Sequence, residues 1–223
     1  MKRHLDEELK NLKTNLLKMA AMVETAIHLS IEALKDRNKD LATQVIEDDV
    51  HIDEMEIRIE EAIIDLLALF QPMAKDLRFI TTAMHINTEL ERIADLTVNI
   101  SQRVLDVASQ PLLKPLIDIP KLSTQAKYMV KDAIDAFVNM DEEKAKGVIF
   151  ADKESNNLRT SVICELINDY MVKDGTTAPR AVPLLLITRD LERICDHAAA
   201  IAEDVIYMIQ AKVVRHHRER LEK

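Results

Sequence analysis

Glycine occurs only twice in these 223 residues and tryptophan not at all. That scarcity excludes folds built on tight β-hairpins, which place glycine where φ is positive. Aromatic residues make up 3% of the chain and the formal charge is −9. A basic groove and stacking platforms are therefore both missing, so no nucleic-acid partner is expected. A short basic tail, Arg215-His216-His217-Arg218, is the local exception and reads as a fraying helix end. Cys164 and Cys195 are isolated, without CxxC or zinc spacing. They are expected to be reduced and buried thiols of a cytosolic protein. The opening Met1-Lys2-Arg3-His4-Leu5-Asp6-Glu7-Glu8 turns acidic where a signal peptide would be apolar. No apolar run approaches the ~18 residues of a membrane span. The reading is a cytoplasmic protein that meets a membrane only through partners. No phosphate loop, nucleophile elbow or HExxH is found, so no enzymatic activity is expected.

What the chain does have is helix-forming residues in register. Leu5, Leu9, Leu12, Leu16, Met19, Val23, Ala26 and Ser30 step by four and three, a heptad seam on one long helix. Arg37-Asn38-Lys39-Asp40 interrupts it, with Asp40 a candidate N-cap. A second helix carries Val45, Ile52, Ile59 and Leu66 at sevens, with Met55, Ala62 and Leu69 in the alternate slot, and Pro72 closes it. Asp48, also in a seam slot, reads as a polar register device. The third helix shows Ala83, Ile86, Leu90, Ile93, Thr97, Ile100, Val104 and Val107. Pro111, Pro115 and Pro120 then exclude helix, and their interleaved leucines suggest a strap packed along the bundle. The pattern restarts with Leu122, Ala126, Met129, Ala133, Ala136 and Met140. Asp141 caps a fifth helix, and Gly175 suits a left-handed stop after it. The sixth carries Leu184, Ile187, Leu191, Ile194, Ala198, Ile201, Val205 and Met208, the third-helix seam displaced by 101 positions. The fold expected is all-α, six long helices in two tandem three-helix bundles related by internal duplication. The bundles would span residues 1–108 and 121–223, joined by the strap at 109–120.

A short acidic phrase travels with that repeat. Glu89-Leu90-Glu91-Arg92-Ile93-Ala94-Asp95 returns as Asp190-Leu191-Glu192-Arg193-Ile194-Cys195-Asp196. Each copy stacks two carboxylates four residues apart on one helix face, where they repel by roughly 0.2–0.5 kcal/mol. On the second helix Asp49 and Asp53 form another such pair. A hairpin turning near Met73 sets Asp53 level with Ile93 and Asp49 level with Thr97. Four carboxylates could then converge, with Asn87 and Asn99 on the same line. In the second half Asp152, Glu154 and Asn156 face Glu192 and Asp196. That site is weaker, because Asn156 stands where an acid would and Ala200 replaces Asn99; His197 or Asp204 could compensate. Carboxylate and amide oxygens suit hard or borderline cations such as Mg, Ca, Mn and iron. The plainer reading is a solvated acidic face. Outside these faces, His51 and His85 read as surface or boundary residues, and the methionines as core filler.

The doubled E-x-x-x-D phrase within six helices resembles the PhoU family of phosphate-uptake regulators, over nearly the whole chain. The resemblance implies a tandem three-helix-bundle fold, often dimeric, with multinuclear metal sites, commonly iron, though Zn, Mg, Mn or Ca would also suit the oxygens. It implies a negative regulator of the phosphate regulon, acting between the ATPase of the phosphate ABC transporter and the membrane sensor histidine kinase. The ligands it implies are Glu91, Asp95, Glu192 and Asp196, with Asp49, Asp53, Asp152 and Asn156 from the preceding helices; Asn99 lies one turn beyond Asp95. Two rival readings stand beside it. A ferritin-like di-iron protein would need Glu-x-x-His on two helices, and the chain has none. A ligand-free helical scaffold would use its amphipathic faces for partner helices alone.

Overall fold

A computed structural model describes residues 2–214; the Arg215-His216-His217-Arg218 tail lies outside the described residues. The elements are α1 (Lys2–Asp36), α2 (Lys39–Phe70), α3 (Lys75–Val107), α4 (Asp118–Asn139), α5 (Glu142–Glu165) and α6 (Ala178–Gln210). No strand occurs among the described residues, as the composition predicts. No described helix is long and apolar enough to cross a membrane.

Helices α1, α2 and α3 pack on one another, as do α4, α5 and α6. The most extensive pairing is between α3 and α6, the two duplicated helices. Their seams are interior: Ala83, Ile86, Leu90, Ile93 and Ile100 on α3, and Ile187, Leu191, Ile194, Ala198 and Ile201 on α6, are all fully buried. One continuous apolar core runs through all six helices, so the halves share an interior. The α2 seam holds at Val45, Ile52, Ile59 and Leu66. Its alternate slot does not. Leu69 is 72% exposed, Met55 and Ala62 are half-buried, and Ile63 faces inward instead. A helix of 3.6 residues per turn drifts off a strict seven-residue repeat, and the inward face moves with it. Asp48 is exposed rather than set in the seam, for the same reason.

Other boundaries differ from the sequence reading. Asn38, not Asp40, caps α2, its Oδ1 accepting from Leu41 N at 3.0 Å. Asp40 falls in the first turn, where the helix dipole favours an acid. Asp141 caps α5 as expected, accepting from Lys144 N at 3.0 Å. Helix α4 begins at Asp118, so Pro120 is helical. Proline is tolerated there because first-turn N–H groups have no intrahelical partner to lose. Of the strap, Leu113 and Leu116 pack on the core while Leu112 is exposed. Arg37 holds its start, donating from Nη2 to Ala108 O at 2.8 Å and Gln110 O at 2.5 Å.

Helix α5 continues into a π-helical turn, Leu166–Met171. Gly175 is not left-handed; Asp174 accepts from Thr176 N at 3.0 Å and starts a short 3-10 turn. With so few glycines, the positive-φ positions fall to Arg37, Gln71, Ala74, Met140 and Ala211. Both thiols are free; Cys195 is buried, but Cys164 is exposed on the outer side of α5.

Candidate functional site

The α2–α3 hairpin sets the first acidic face. Asn87 is buried and donates from Nδ2 to the Glu56 carbonyl at 3.0 Å, which fixes the register of the two helices. Along the two helices from it stand Asp49, Asp53 and Glu56 from α2 and Glu91 and Asp95 from α3. Glu91 and Asn99 are half-buried; Asp53 and Asp95 are exposed. These carboxylates act on one another across the helix pair. Burial first, then the charges of Asp53 and Asp95, push the Asp49 carboxyl up to about 6. Glu91 is raised by burial, then by Asp95, Glu56 and Asp53, with Arg92 only weakly opposing. The Arg92 guanidinium reaches the other way, to Glu89 at 3.3 Å. Glu56, which the spacing argument missed, is raised by burial, Glu60 and Asp53. It lies one heptad after Asp49, the signal that could have found it.

Among the described residues, no three His, Cys, Asp or Glu side chains are already drawn together around a point. The face is a shared negative field, from two rigid helices, made entirely of carboxylate and amide oxygens. Those oxygens fit a hard cation, which would relieve the repulsion that adds to burial in raising Asp49 and Glu91.

A pH dependence follows. The folded protein holds the Asp49 proton more tightly than the unfolded chain does, because its carboxyl rises from 3.8 to about 6. The contribution of Asp49 to stability therefore falls as pH rises through that window and is fully unfavourable above it. Asp49→Asn is expected to be more stable than the parent by about 1 kcal/mol near pH 8, allowing for solvent screening of a half-exposed group, and equal to it below about pH 4. Urea unfolding in the presence of a chelator at the two pH values measures this.

The second face differs. Asp152 is 4% exposed and Glu192 9%, while Asp196 and Glu154 are exposed. The charges of Asp152, Asp196 and Glu192 meet at Cys195, whose thiol is pushed up to about 12 by burial foremost, against a hydrogen bond with Ser155, and then by those three carboxylates. Asn156 is half-buried and donates from Nδ2 to the Asp152 carbonyl at 3.0 Å. The face also holds its own cation: Arg159 Nε lies 3.6 Å from Glu192 Oε1. Arg159 follows Asp152 by seven residues, on the same side of α5, and was not read from sequence. His197 and Asp204 do not compensate here, since both turn toward the first half. His197 Nδ1 is 2.6 Å from Glu89 Oε2, and His85 Nδ1 is 3.3 Å from Asp204 Oδ2. His85 is exposed and lies at the boundary between the halves, as the sequence suggests. A third pair joins Arg103 Nη1 to Asp190 Oδ2 at 2.5 Å. The first acids of the repeated phrase, Glu89 and Asp190, therefore fasten the halves together, while Glu91 and Asp95 act on the acids of α2 and Glu192 meets Arg159 of α5.

An all-helical, internally doubled chain with a carboxylate face on each half is the class of protein so defined. The family model for the PhoU domain matches it twice, over residues 16–104 and 119–205. A PhoU homolog of the phosphate-specific transport system of Aquifex aeolicus is 38% identical, over 95% of this chain and 96% of its own. The Thermotoga maritima accessory protein PhoU homolog 2 is 34% identical, over 99% of this chain and 94% of its own. The crystal structure of PhoU from Pseudomonas aeruginosa superimposes with a TM-score of 0.89 at 33% identity, covering 93% of this chain and 99% of that one. The chain belongs to the PhoU family.

Proposed function

We propose that this protein is a metal-binding, non-catalytic regulator of phosphate uptake. It works in the cytoplasm as a homodimer, between the ATPase of the phosphate ABC transporter and the sensor histidine kinase that governs the phosphate regulon, and its effect is negative. Membership of the PhoU family supports the transport role, and the relatives above carry the name of accessory proteins of the phosphate-specific transport system. The observation that carries the metal reading is the mutual field of Asp49, Asp53, Glu91 and Asp95 across α2 and α3. Those four, with Asn99, would hold the ions of the first half, iron foremost. Asp152, Asn156, Glu192 and Asp196 would hold those of the second, with affinity lowered by Arg159. A bound cation supplies positive charge that lets neighbouring carboxylates stay ionised and close. What the chain itself supplies is two stiff helices in fixed register, so that an ion joining them tightens one face of the bundle.

Metal analysis of the purified protein, compared with Glu91→Ala/Asp95→Ala, tests the site. The parent is expected to carry metal and to gain thermal stability from it, and the double variant to lose most of both. Near-zero metal in both would leave the ligand-free scaffold reading in its place. Pull-down of the transporter ATPase with each protein tests the partner separately.

A further inference from the structure

The outward face of α2 carries an apolar row that the bundle does not use. Val50, Ile57 and Ile64 are 51%, 52% and 53% exposed and stand seven residues apart. A lone exposed isoleucine is ordinary on a protein surface. Three β-branched residues at heptad spacing along one side of a stiff helix match the a-position row of a coiled coil, with the acids Asp53 and Glu60 in the intervening d slots. The positions three before each are Glu47, Glu54 and Glu61, all exposed and all acidic. They occupy the slots that in a coiled coil face the partner's charges. Helical spacing sets this glutamate row on the flank of the apolar row away from Asp49 and Glu56; on the other flank Asp53 and Glu60 stand three residues after Val50 and Ile57, so the apolar row borders the candidate metal face. The nearest cation, Arg58, is spent on Glu54 at 3.3 Å.

We propose that this face of α2 docks an amphipathic helix of another protein, one with an apolar residue every seventh position flanked by lysine or arginine. Charge complementarity selects that occupant. A second copy of this chain would set glutamate against glutamate, and an anionic lipid surface would be repelled by the same row. A basic helix satisfies both rows at once, the isoleucines by burial and the glutamates by pairing.

The test uses the full chain and a synthetic helical peptide of about three heptads, leucine or isoleucine at the seam and lysine at the flanks. Fluorescence anisotropy reads binding to the parent, to Ile57→Ser/Ile64→Ser and to Glu54→Gln/Glu61→Gln. Both pairs are solvent-exposed, so circular dichroism is expected to show unaltered folds. The parent is expected to bind this peptide and not its glutamate-flanked counterpart. Each double variant is expected to bind it at least about tenfold more weakly, a 1.4 kcal/mol loss. No binding by the parent overturns the proposal. So does equal binding by the serine variant, which would mean non-specific charge attraction. So does a parent dimer that the serine variant dissolves, which would make the face a contact between copies.

Discussion

Arg103→Met is expected to lower the stability of the folded protein by about 3–5 kcal/mol, the range for breaking a buried ion pair from one side. Arg103 Nη1 on α3 meets Asp190 Oδ2 on α6 at 2.5 Å, and the Asp190 side chain is only 7% exposed. Burial is already the largest influence on that carboxyl and raises it, against the opposing charges of Arg103, Arg193 and Arg189. Removing the guanidinium leaves a buried carboxylate that must either stay ionised without its closest partner or take up a proton. The sign with pH follows. The Asp190 carboxyl is raised in the folded state, so the folded protein gains relative to the unfolded chain as pH falls. The deficit of the variant should therefore be largest at neutral pH and shrink in acid. Replacing both partners, Arg103→Met/Asp190→Leu, should recover most of the loss, because no isolated charge remains. Urea titration of the three proteins at two pH values gives the numbers; an unchanged midpoint for Arg103→Met would show that the pair contributes nothing.

Phe137→Ala is the second large effect, again about 3–5 kcal/mol. Phe137 on α4 is fully buried and stacks on Phe79 of α3, with ring centroids 5.0 Å apart and planes 15° from parallel. Lys13 of α1 covers the far ring, its Nζ 5.2 Å from the Phe79 centroid, and donates to the Val138 carbonyl at 3.3 Å. Three helices from both halves thus close on one aromatic pair. The alanine variant leaves a cavity that helices pinned on all sides cannot refill. Phe137→Leu, which keeps more of the volume, should cost less, and Phe150→Ala, at an exposed site, should fall within about 0.5 kcal/mol of the parent. Because the core is continuous, fluorescent labels in either half should report a single shifted transition rather than two.

These two sites mark where sequence reasoning stops. The α3 and α6 seams were legible because burial on a helix repeats with a short period, and a displacement of 101 residues preserved it. The level of Asp49 and Asp53 against Glu91 and Asp95 was legible too, since a hairpin of two long helices leaves one adjustable quantity, the position of its turn. Docking of one half on the other has no such period. Arg103 with Asp190 and Glu89 with His197 are separated by 87 and 108 residues, Phe79 and Phe137 belong to different halves, and nothing local in either partner names the other. Arg159 was missed for a different reason: attention to acids passed over the base seven residues along the same face. The α2 cap differs by two residues, Asn38 for Asp40, because both residues can accept from a helix N-terminus and only backbone geometry chooses between them.

The pairing of α3 with α6 has one more implication. These are the same helix twice, running in opposite directions, as the ties Arg78–Met208, Glu89–His197 and Arg103–Asp190 show. A single ancestral repeat, standing alone, would have bared this surface and could have covered it with a twin related by a two-fold axis. Fusing the two copies in one gene made that encounter independent of concentration. It also freed the copies to diverge, so that one acidic face could acquire an arginine of its own while the other kept its charge unbalanced.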